Sequence, residues 1–234
     1  MLPDATSKVW EALRARKELG GFVLIGGTAL ALLIAHRRSE DLDLVWPDAR
    51  LPSDRVRRAV TNLEAAGFAC QVHDSPAALA EFLDTGLELH DYQQDYLIGG
   101  VKVAFFAADS GLGRVLSHER ADVPRVASLR EVFASKCLVS AKRSRLRDWF
   151  DLYVLFRDQG FTLREYVEVF ETAGDRLQAE LGLTRLCSGH PDATDEGFVA
   201  LTPNAPSTDE MRAFFVRQRD ELEVALAAST FKGS

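Results

Sequence analysis

The sequence has little that would direct the chain into a membrane or out of the cell. It holds only three cysteines among 234 residues, and they have neither metal-ligand spacing nor the density of a disulfide framework. The longest apolar run, residues 22–35, is shorter than the ~20 residues that span a bilayer, and the N-terminus lacks the layout of a signal peptide. We therefore expect no membrane segment and a cytoplasmic location.

An excess of positive charge is missing as well. The formal net charge is −7, with 28 Lys and Arg against 35 Asp and Glu. This balance argues against a protein that coats nucleic acid through its overall field, because such binding requires dense basic residues. The net charge does not exclude a local basic face. Hydrophobic residues make up 47% of the chain, which is enough for a globular protein to bury a core.

Common signatures of nucleotide and RNA chemistry are also absent. The glycine turn at Gly26-Gly27 lacks the Gly-Lys-Ser/Thr ending of a Walker loop, and no Gly-x-Gly-x-x-Gly follows the first predicted strand. None of the five histidines has an obvious His partner. These observations argue against a P-loop protein, a Rossmann protein and a histidine-based ribonuclease.

Strand patterns are confined to the N-terminal half of the chain. Gly99-Gly100 suits a tight turn between two alternating runs, and Pro47 ends another alternating run. The predicted elements are strand 22–25, helix 28–36, strand 41–46, helix 53–66, strand 68–73 and a hairpin of strands 95–98 and 101–106. The C-terminal half is predicted to contain helices 128–140, 146–157, 163–173 and 209–228, with a long loop at 182–207.

A pair of carboxylates follows the second predicted strand pattern. Asp41 and Asp43 are two residues apart, so both side chains project from the same face of a strand. Two like charges held close together repel, and a divalent cation relieves that repulsion. Oxygen ligands of this kind are what Mg²⁺ prefers when it also holds nucleotide phosphates. An isolated Asp-x-Asp is more simply explained as part of a solvated strand face. The neighbouring residues therefore determine which interpretation is favoured.

The glycine turn supplies that context. Gly26-Gly27-Thr28 lies where a strand gives way to a helix, about a dozen residues before the carboxylate pair. Glycines let the backbone approach a ligand, and the unpaired N–H groups at a helix start favour an anion. Two glycines alone would more simply be a plain tight turn. Together with the following helix and Asp41-x-Asp43, the turn indicates a phosphate and metal site.

A second charged cluster lies in the predicted helical half. Lys136 is followed by a basic run, residues 142–147, and then by Asp148 and Asp151, which are one helical turn apart. Such a cluster can be a structural network of ion pairs, or it can neutralise a triphosphate and grip an RNA backbone. The spacing alone leaves both interpretations open.

At these residues the sequence resembles the AbiEii/AbiGii nucleotidyltransferase-like toxin family. The resemblance begins at Ile25-Gly26-Gly27-Thr28-Ala29-Leu30, continues through His36-Arg37, Ser39 and Asp41-Leu42-Asp43-Leu44, and resumes at Lys136, Arg143, Arg147-Asp148 and Asp151-Leu152-Tyr153. It implies an α+β fold: a polymerase-β-like nucleotidyltransferase core with a small mixed sheet flanked by helices, followed by a helical C-terminal region. We expect the core at residues 1–115 and the helical region at 116–234.

The resemblance also implies roles for single residues. Asp41 and Asp43 are expected to bind Mg²⁺, with Mn²⁺ as an alternative. Lys136 is expected to steady the triphosphate of an NTP substrate, and Asp148 or Asp151 to be the acid of the last motif. The expected nucleotide-binding residues are Gly26, Gly27, Thr28, Arg37 and Ser39.

One position departs from the family pattern. Many polymerase-β-like enzymes place a third carboxylate on a neighbouring strand as base for the attacking hydroxyl, but Ala104 stands where that acid is expected. Asp109 is too far along the chain to align convincingly. Either a helical acid such as Asp151 substitutes, or water removes the proton.

The function expected from the resemblance is transfer of a nucleoside monophosphate to the 3′ acceptor end of tRNA, which blocks translation. The protein is then a toxin, monomeric when free and controlled by a cognate antitoxin. One alternative keeps the fold but uses a protein or small-molecule acceptor, such as an aminoglycoside, as the acidic net charge allows. Another, motivated by Ala104, is an inactive module that binds a nucleotide or a partner.

Overall fold

The computed structural model describes residues 2–191, 202 and 205–232. The chain divides into two compact units, Met1–Val132 and Phe133–Ser234. The first unit is mixed α and β, and the second is helical, so the predicted α+β fold class is confirmed. Within the described residues, no helix has both the length and the apolar character needed to cross a bilayer.

The first unit is built around one six-stranded mixed sheet. Its strands are β1 (Val23–Ile25), β2 (Leu42–Trp46), β3 (Cys70–Val72), β4 (Gln93–Ile98), β5 (Val101–Ala107) and β6 (Arg125–Val126). Their order across the sheet is β3-β4-β5-β2-β1-β6. The pairs β2–β5 and β1–β6 are parallel, and the other neighbouring pairs are antiparallel. β6 therefore belongs to the sheet although it lies beyond residue 115, where the core was expected to end.

In the sequence of the first unit, helices precede, separate and follow the strands. They are α1 (Asp4–Arg14), α2 (Gly26–Ile34), α3 (Ser53–Ala65), α4 (Pro76–Thr85), α5 (Ser110–Val115) and α6 (Leu129–Ser140), the last of which continues into the second unit. The predicted helices that became α2 and α3 are confirmed. α4, α5 and the two-residue β6 were not predicted.

One face of the sheet forms the core of the first unit. Leu44, Phe105 and Tyr96 are buried on neighbouring strands, whereas Asp43 and Ala104 on the opposite face remain half-buried. The buried rings pack directly on one another, with ring centroids of Tyr96 and Phe105 6.1 Å apart. This alternation, at the period of two that strands impose, aims the polar residues of β2 away from the core.

The hairpin between β4 and β5 sets the register of the central strands. Gly99 and Gly100 both have positive φ, 54° and 81°, as the two central residues of a type I′ turn require. Ile98 consequently pairs with Val101, and the following pairs are fixed in turn. The predicted hairpin is confirmed.

The second unit consists of packed helices. After α6 come α7 (Leu146–Gln159), α8 (Leu163–Ala173), α9 (Leu177–Ser188) and α10 (Thr208–Lys232). Thr162 and Glu165 form a capping box at the start of α8, where each side chain bonds the other's backbone N–H. Trp149 and Phe215 are among its fully buried side chains.

The predicted loop at 182–207 is wrong in its first part, because α9 continues to Ser188. Gly182 lies inside this helix and serves close packing: a Cβ there would lie 2.7 Å from Ser140 Oγ and against the Tyr166 hydroxyl. Residues 192–201, 203 and 204 of the predicted loop lie outside the described residues.

Glu131 joins β6 to the start of α6. Its carboxylate accepts hydrogen bonds from both terminal nitrogens of Arg125, at 2.7 and 2.8 Å, and from the Ser128 N–H and hydroxyl and the Ser117 N–H. Burial by itself would raise the pKa of Glu131, but these hydrogen bonds prevail and hold it at about 2. The charged carboxylate is therefore favoured by the folded state.

We expect Glu131→Gln to lower the free energy of unfolding at pH 7 by about 2 kcal/mol, since hydrogen bonds to a charged group are lost. The stabilisation from a lowered pKa is present above the ordinary Glu value of 4.5 and is lost as pH falls toward about 2. Urea unfolding at several pH values should thus show a flatter profile for the variant in this window. Glu11→Gln, which removes an exposed carboxylate 3.4 Å from Arg14, is the control and should change little.

Candidate active site

The glycine turn lies directly against one of the predicted metal ligands. Gly26 begins α2 with a φ of 77°, and a Cβ built on it would lie 2.7 Å from Asp43 Oδ2. Antiparallel pairing of β1 with β2 causes this proximity, because Ile25 pairs with Asp43. Only glycine combines the left-handed backbone with such an approach.

The start of α2 lies against Asp43 at Gly26 and against Arg37 and Ser39 at Gly27. The residue before it, Ile25, makes no side-chain cap, and no acidic residue lies in the first turn. A helix start of this kind presents N–H groups and the positive end of the helix dipole.

Arg37 brings a positive charge to the same turn. A Cβ on Gly27 would meet the Arg37 guanidinium and would lie 3.0 Å from Ser39 Oγ. Arg37 is buried, with 6% of its surface exposed, and one of its nitrogens donates to the Arg38 carbonyl at 3.0 Å. The predicted nucleotide-binding residues Gly26, Gly27, Arg37 and Ser39 therefore lie together.

Thr28 holds the segment that carries Asp41. Its buried hydroxyl donates to the Asp41 carbonyl and lies 2.9 Å from Ser39 Oγ. The Thr6 hydroxyl, on α1, donates to the next carbonyl in this segment, that of Glu40, at 3.0 Å. Thr28 thus positions Asp41 through a hydrogen bond to the Asp41 backbone carbonyl.

Asp41 and Asp43 line one cleft of about 460 Å³, a volume in the usual range for small-ligand sites. Asp41 is exposed and Asp43 is half-buried. The cleft also contains charged or polar residues that were not predicted as site residues, namely His73, Asp74, Gln93, Asp95 and Lys102. Carboxylates outnumber bases among these lining residues, so the cleft favours a cation.

Asp95 is one of the cleft residues that were not predicted from the sequence. Burial is the main influence that raises its pKa above the ordinary Asp range, and the charge of Asp74 adds to it, whereas a hydrogen bond from Gln93 opposes it. The β4–β5 hairpin, recognised from Gly99-Gly100, contained the signal that could have found it, because its turn fixes which residues pair.

The donor set in the cleft fits a divalent cation that is shared with a ligand. Within the part of the chain that the structure describes, no three His, Cys, Asp or Glu side chains converge on a common point. Mg²⁺ in phosphate-transferring sites needs only one or two carboxylates, because phosphate oxygens and water complete its coordination. Asp41 and Asp43, which line one cleft beside the glycine start of α2, meet that requirement.

The predicted acid and lysine of the second unit also lie together. Lys136 Nζ is 2.7 Å from Asp148 Oδ1 and 2.6 Å from Asp151 Oδ2, and Arg143 Nε is 2.8 Å from Asp148 Oδ2. Lys136, Asp148 and Asp151 are buried, with at most 5% exposed. Burial alone would raise the pKa of Asp148, but Lys136 and Arg143 outweigh it, so its pKa lies below the ordinary range.

A mixed sheet that sets a glycine turn against an Asp-x-Asp strand defines the class of the polymerase-β-like nucleotidyltransferases. The family model of the nucleotidyl transferase AbiEii toxin of type IV toxin–antitoxin systems matches residues 9–228, so the chain belongs to this family. The predicted family is thereby confirmed. The protein is a nucleotidyltransferase toxin, and an antitoxin is its expected partner.

One relative and two solved structures resemble this chain over most of its length. An uncharacterized protein of Aquifex aeolicus (strain VF5) is 24% identical over 215 residues, which are 90% of this chain and 94% of that protein. JHP933 from Helicobacter pylori covers 98% of this chain and 100% of its own, with a TM-score of 0.50 and 17% identity. MenT4, a nucleotidyltransferase toxin from Mycobacterium tuberculosis H37Rv, covers 97% and 94%, also with a TM-score of 0.50 and 17% identity. These structural likenesses support the fold.

We expect Gly26→Ala to impair nucleotide transfer far more than Gly100→Ala does. Both glycines have similar positive φ, 77° and 81°, so the backbone cost of about 1–2 kcal/mol is shared. Only the Cβ at residue 26 meets Asp43, whereas nothing lies within 4 Å of a Cβ at residue 100. Urea unfolding and transfer assays on both variants measure this. Equal activity of the two would show that the contact with Asp43 is unimportant.

Lys136→Met is expected to lower the free energy of unfolding by about 3–5 kcal/mol, because it leaves buried carboxylates without their cation. Arg143→Ala should have a smaller effect, since the Arg143 side chain is 44% exposed. In a double-mutant cycle, adding Asp148→Asn to Lys136→Met should cost less than the sum of the single changes. Full stability of Lys136→Met, measured by urea unfolding, would contradict a structural role for the ion pairs.

Proposed function

We propose that the protein transfers a nucleoside monophosphate from an NTP to the 3′ acceptor end of tRNA and so blocks translation. The observation that carries the transfer reaction is the glycine start of α2 against Asp43, a residue that lines the same cleft as Asp41. The tRNA acceptor rests on the family resemblance. An antitoxin partner, a cytoplasmic location and a free monomer belong to the same proposal.

In the proposed site, Asp41 and Asp43 would hold Mg²⁺, with Mn²⁺ as an alternative. The bound ion would supply neutralisation of triphosphate charge and polarisation of the reacting phosphoryl group. The N–H groups of Gly27 and Thr28 bind phosphate oxygens, and Arg37 beside them adds positive charge. These groups are fixed before the substrate arrives, so they contribute without reorganisation during the reaction.

The proposed chemical step is an in-line displacement. The acceptor hydroxyl loses its proton and its oxygen bonds to the α-phosphorus, while the bond from that phosphorus to the bridging oxygen of the β-phosphate breaks and pyrophosphate leaves. Correct alignment of the two reactants supplies much of the rate. On the family resemblance we assign Lys136 to leaving-group stabilisation, and Asp148 and Asp151, whose carboxylates pair with Lys136 Nζ, to its positioning. The functional division at residues 1–115 and 116–234 likewise stays a prediction.

We expect label from one α-labelled NTP to enter total tRNA in the presence of Mg²⁺. Asp41→Asn and Asp43→Asn should each lower this transfer at least about 100-fold, without unfolding the protein, since neither side chain is fully buried. Asp48→Asn is the matched control, because it removes a half-exposed carboxylate that pairs with Arg120 at 2.6 Å. Wild-type activity in Asp41→Asn and Asp43→Asn, or no label with any NTP, would contradict the proposal.

A second candidate, transfer to a protein or small molecule, is favoured by the net charge of −7. Salt separates the two acceptors. Transfer to tRNA should weaken steeply between about 50 and 200 mM salt, because phosphate contacts release counterions. Transfer that is insensitive to salt, or label that enters added protein instead of tRNA, would favour the second candidate.

A further inference from the structure

A row of paired residues crosses the sheet at the carboxylate site. Ala104 on β5 pairs with Asp43 on one side and with Asp95 on the other. Paired residues on neighbouring strands project from the same face, so all three side chains point to one side of the sheet. Ala104 is the position where the family pattern expects an acid. Asp95 lies directly beside it, on the neighbouring strand β4.

The spacing of this row suits two carboxylates that act on one reaction centre. Neighbouring strands lie about 4.8 Å apart, so Asp43 and Asp95 are separated by about 10 Å between backbones. Only the methyl group of Ala104 stands between them, and all three residues line the same cleft. The small side chain of Ala104 thus leaves this part of the cleft lined by two carboxylates with no larger group from the same row between them.

Asp95 is held firmly by its own strand neighbours. Its carbonyl accepts a hydrogen bond from the His73 N–H at 2.8 Å, and its N–H donates to Asp74 Oδ1 at 3.4 Å. Gln93 Nε2 donates to Asp95 Oδ2 at 2.6 Å. Gln93 thus orients Oδ2 of the Asp95 carboxylate. The Asp95 backbone is held by His73 and Asp74, which follow β3.

The other carboxylate oxygen needs a donor that the described part of the protein does not supply. Asp95 Oδ1 is buried, and among the described residues no donor lies within hydrogen-bonding distance of it. Buried polar atoms without a partner are rare in folded proteins, and a catalytic role is one reason for which they are kept. This oxygen has no accessible surface of its own, so the Asp95 carboxylate would have to rotate toward the cleft that the residue lines for Oδ1 to meet a substrate hydroxyl.

We infer that Asp95 is the general base of the reaction and takes the proton of the acceptor hydroxyl across Ala104. The O–H proton moves to Asp95 as the hydroxyl oxygen bonds to the α-phosphorus and pyrophosphate departs. Asp151, the alternative from the sequence, is fully buried and bound to Lys136, whereas Asp95 lines the cleft of Asp41 and Asp43. This inference rests on the proposed transfer function.

The test is the single-turnover rate of label transfer by Asp95→Asn. The rate should fall about 100- to 10,000-fold, as expected for loss of a general base, while the dissociation constant for labelled NTP changes less than about threefold. Asn keeps the shape of the side chain, and Oδ1 has no described donor to lose. Asp91→Asn, which removes a carboxylate paired with Arg50 just before β4, is the matched control and should keep the wild-type rate.

Restoring a carboxylate in the row provides the decisive second variant. Ala104→Asp in the Asp95→Asn background should recover at least tenfold of the lost rate, because it places an acid on the same face. Wild-type transfer with an unimpaired Asp95→Asn would overturn the base role and leave the proposed function standing. Loss of NTP binding together with the rate would also overturn it, in favour of a structural role. Failure of the wild-type protein to label any acceptor would instead overturn the proposed function, and the base role with it.

Discussion

The site depends on the pairing of β2 with both of its neighbours. β2 is an interior strand, and its alternation buries Leu42 and Leu44 while Asp43 faces the cleft. A slip of one residue would bury the Asp43 carboxylate and expose the leucines, which the hydrophobic effect and the cost of burying a charge both oppose. The same register places Asp43 against Gly26 on one side and Ala104 on the other. Packing of the core therefore fixes the geometry of the polar face.

The sequence was informative where structure is local. Strict alternation identified the strand of Asp43, and the glycine pair identified the hairpin, because both signals arise from neighbouring residues. The pairing of Asp95 with Ala104 follows from that hairpin by counting from its turn. The sequence could not place Asp95 beside Asp43, since the pairing of β2 with β5 that joins them is long-range.

Two elements that were missed, β6 and α9, share a physical cause. β6 has only two residues and is a strand because of its parallel pairing with β1, which no local pattern encodes. In α9, Gly182 is an unfavourable helix residue that close packing against Ser140 and Tyr166 explains. Tertiary contacts override intrinsic preference at both places. Loop signals from single glycines are therefore weaker than those from paired glycines with positive φ, such as Gly99-Gly100.

The ion pairs of the second unit illustrate why charge patterns resist interpretation from sequence. Lys136 between Asp148 and Asp151 satisfies the buried charges, so these residues stabilise the fold whatever else they do. The positive charge of Lys136 is already balanced by these carboxylates. To bind a triphosphate, Lys136 would have to lose part of its interaction with them. Asp41 and Asp43 differ, because their partly exposed charges face a cleft in which carboxylates predominate. Excess charge of one sign in a cleft indicates a ligand of the opposite sign, whereas the paired charges of a buried cluster do not by themselves indicate one.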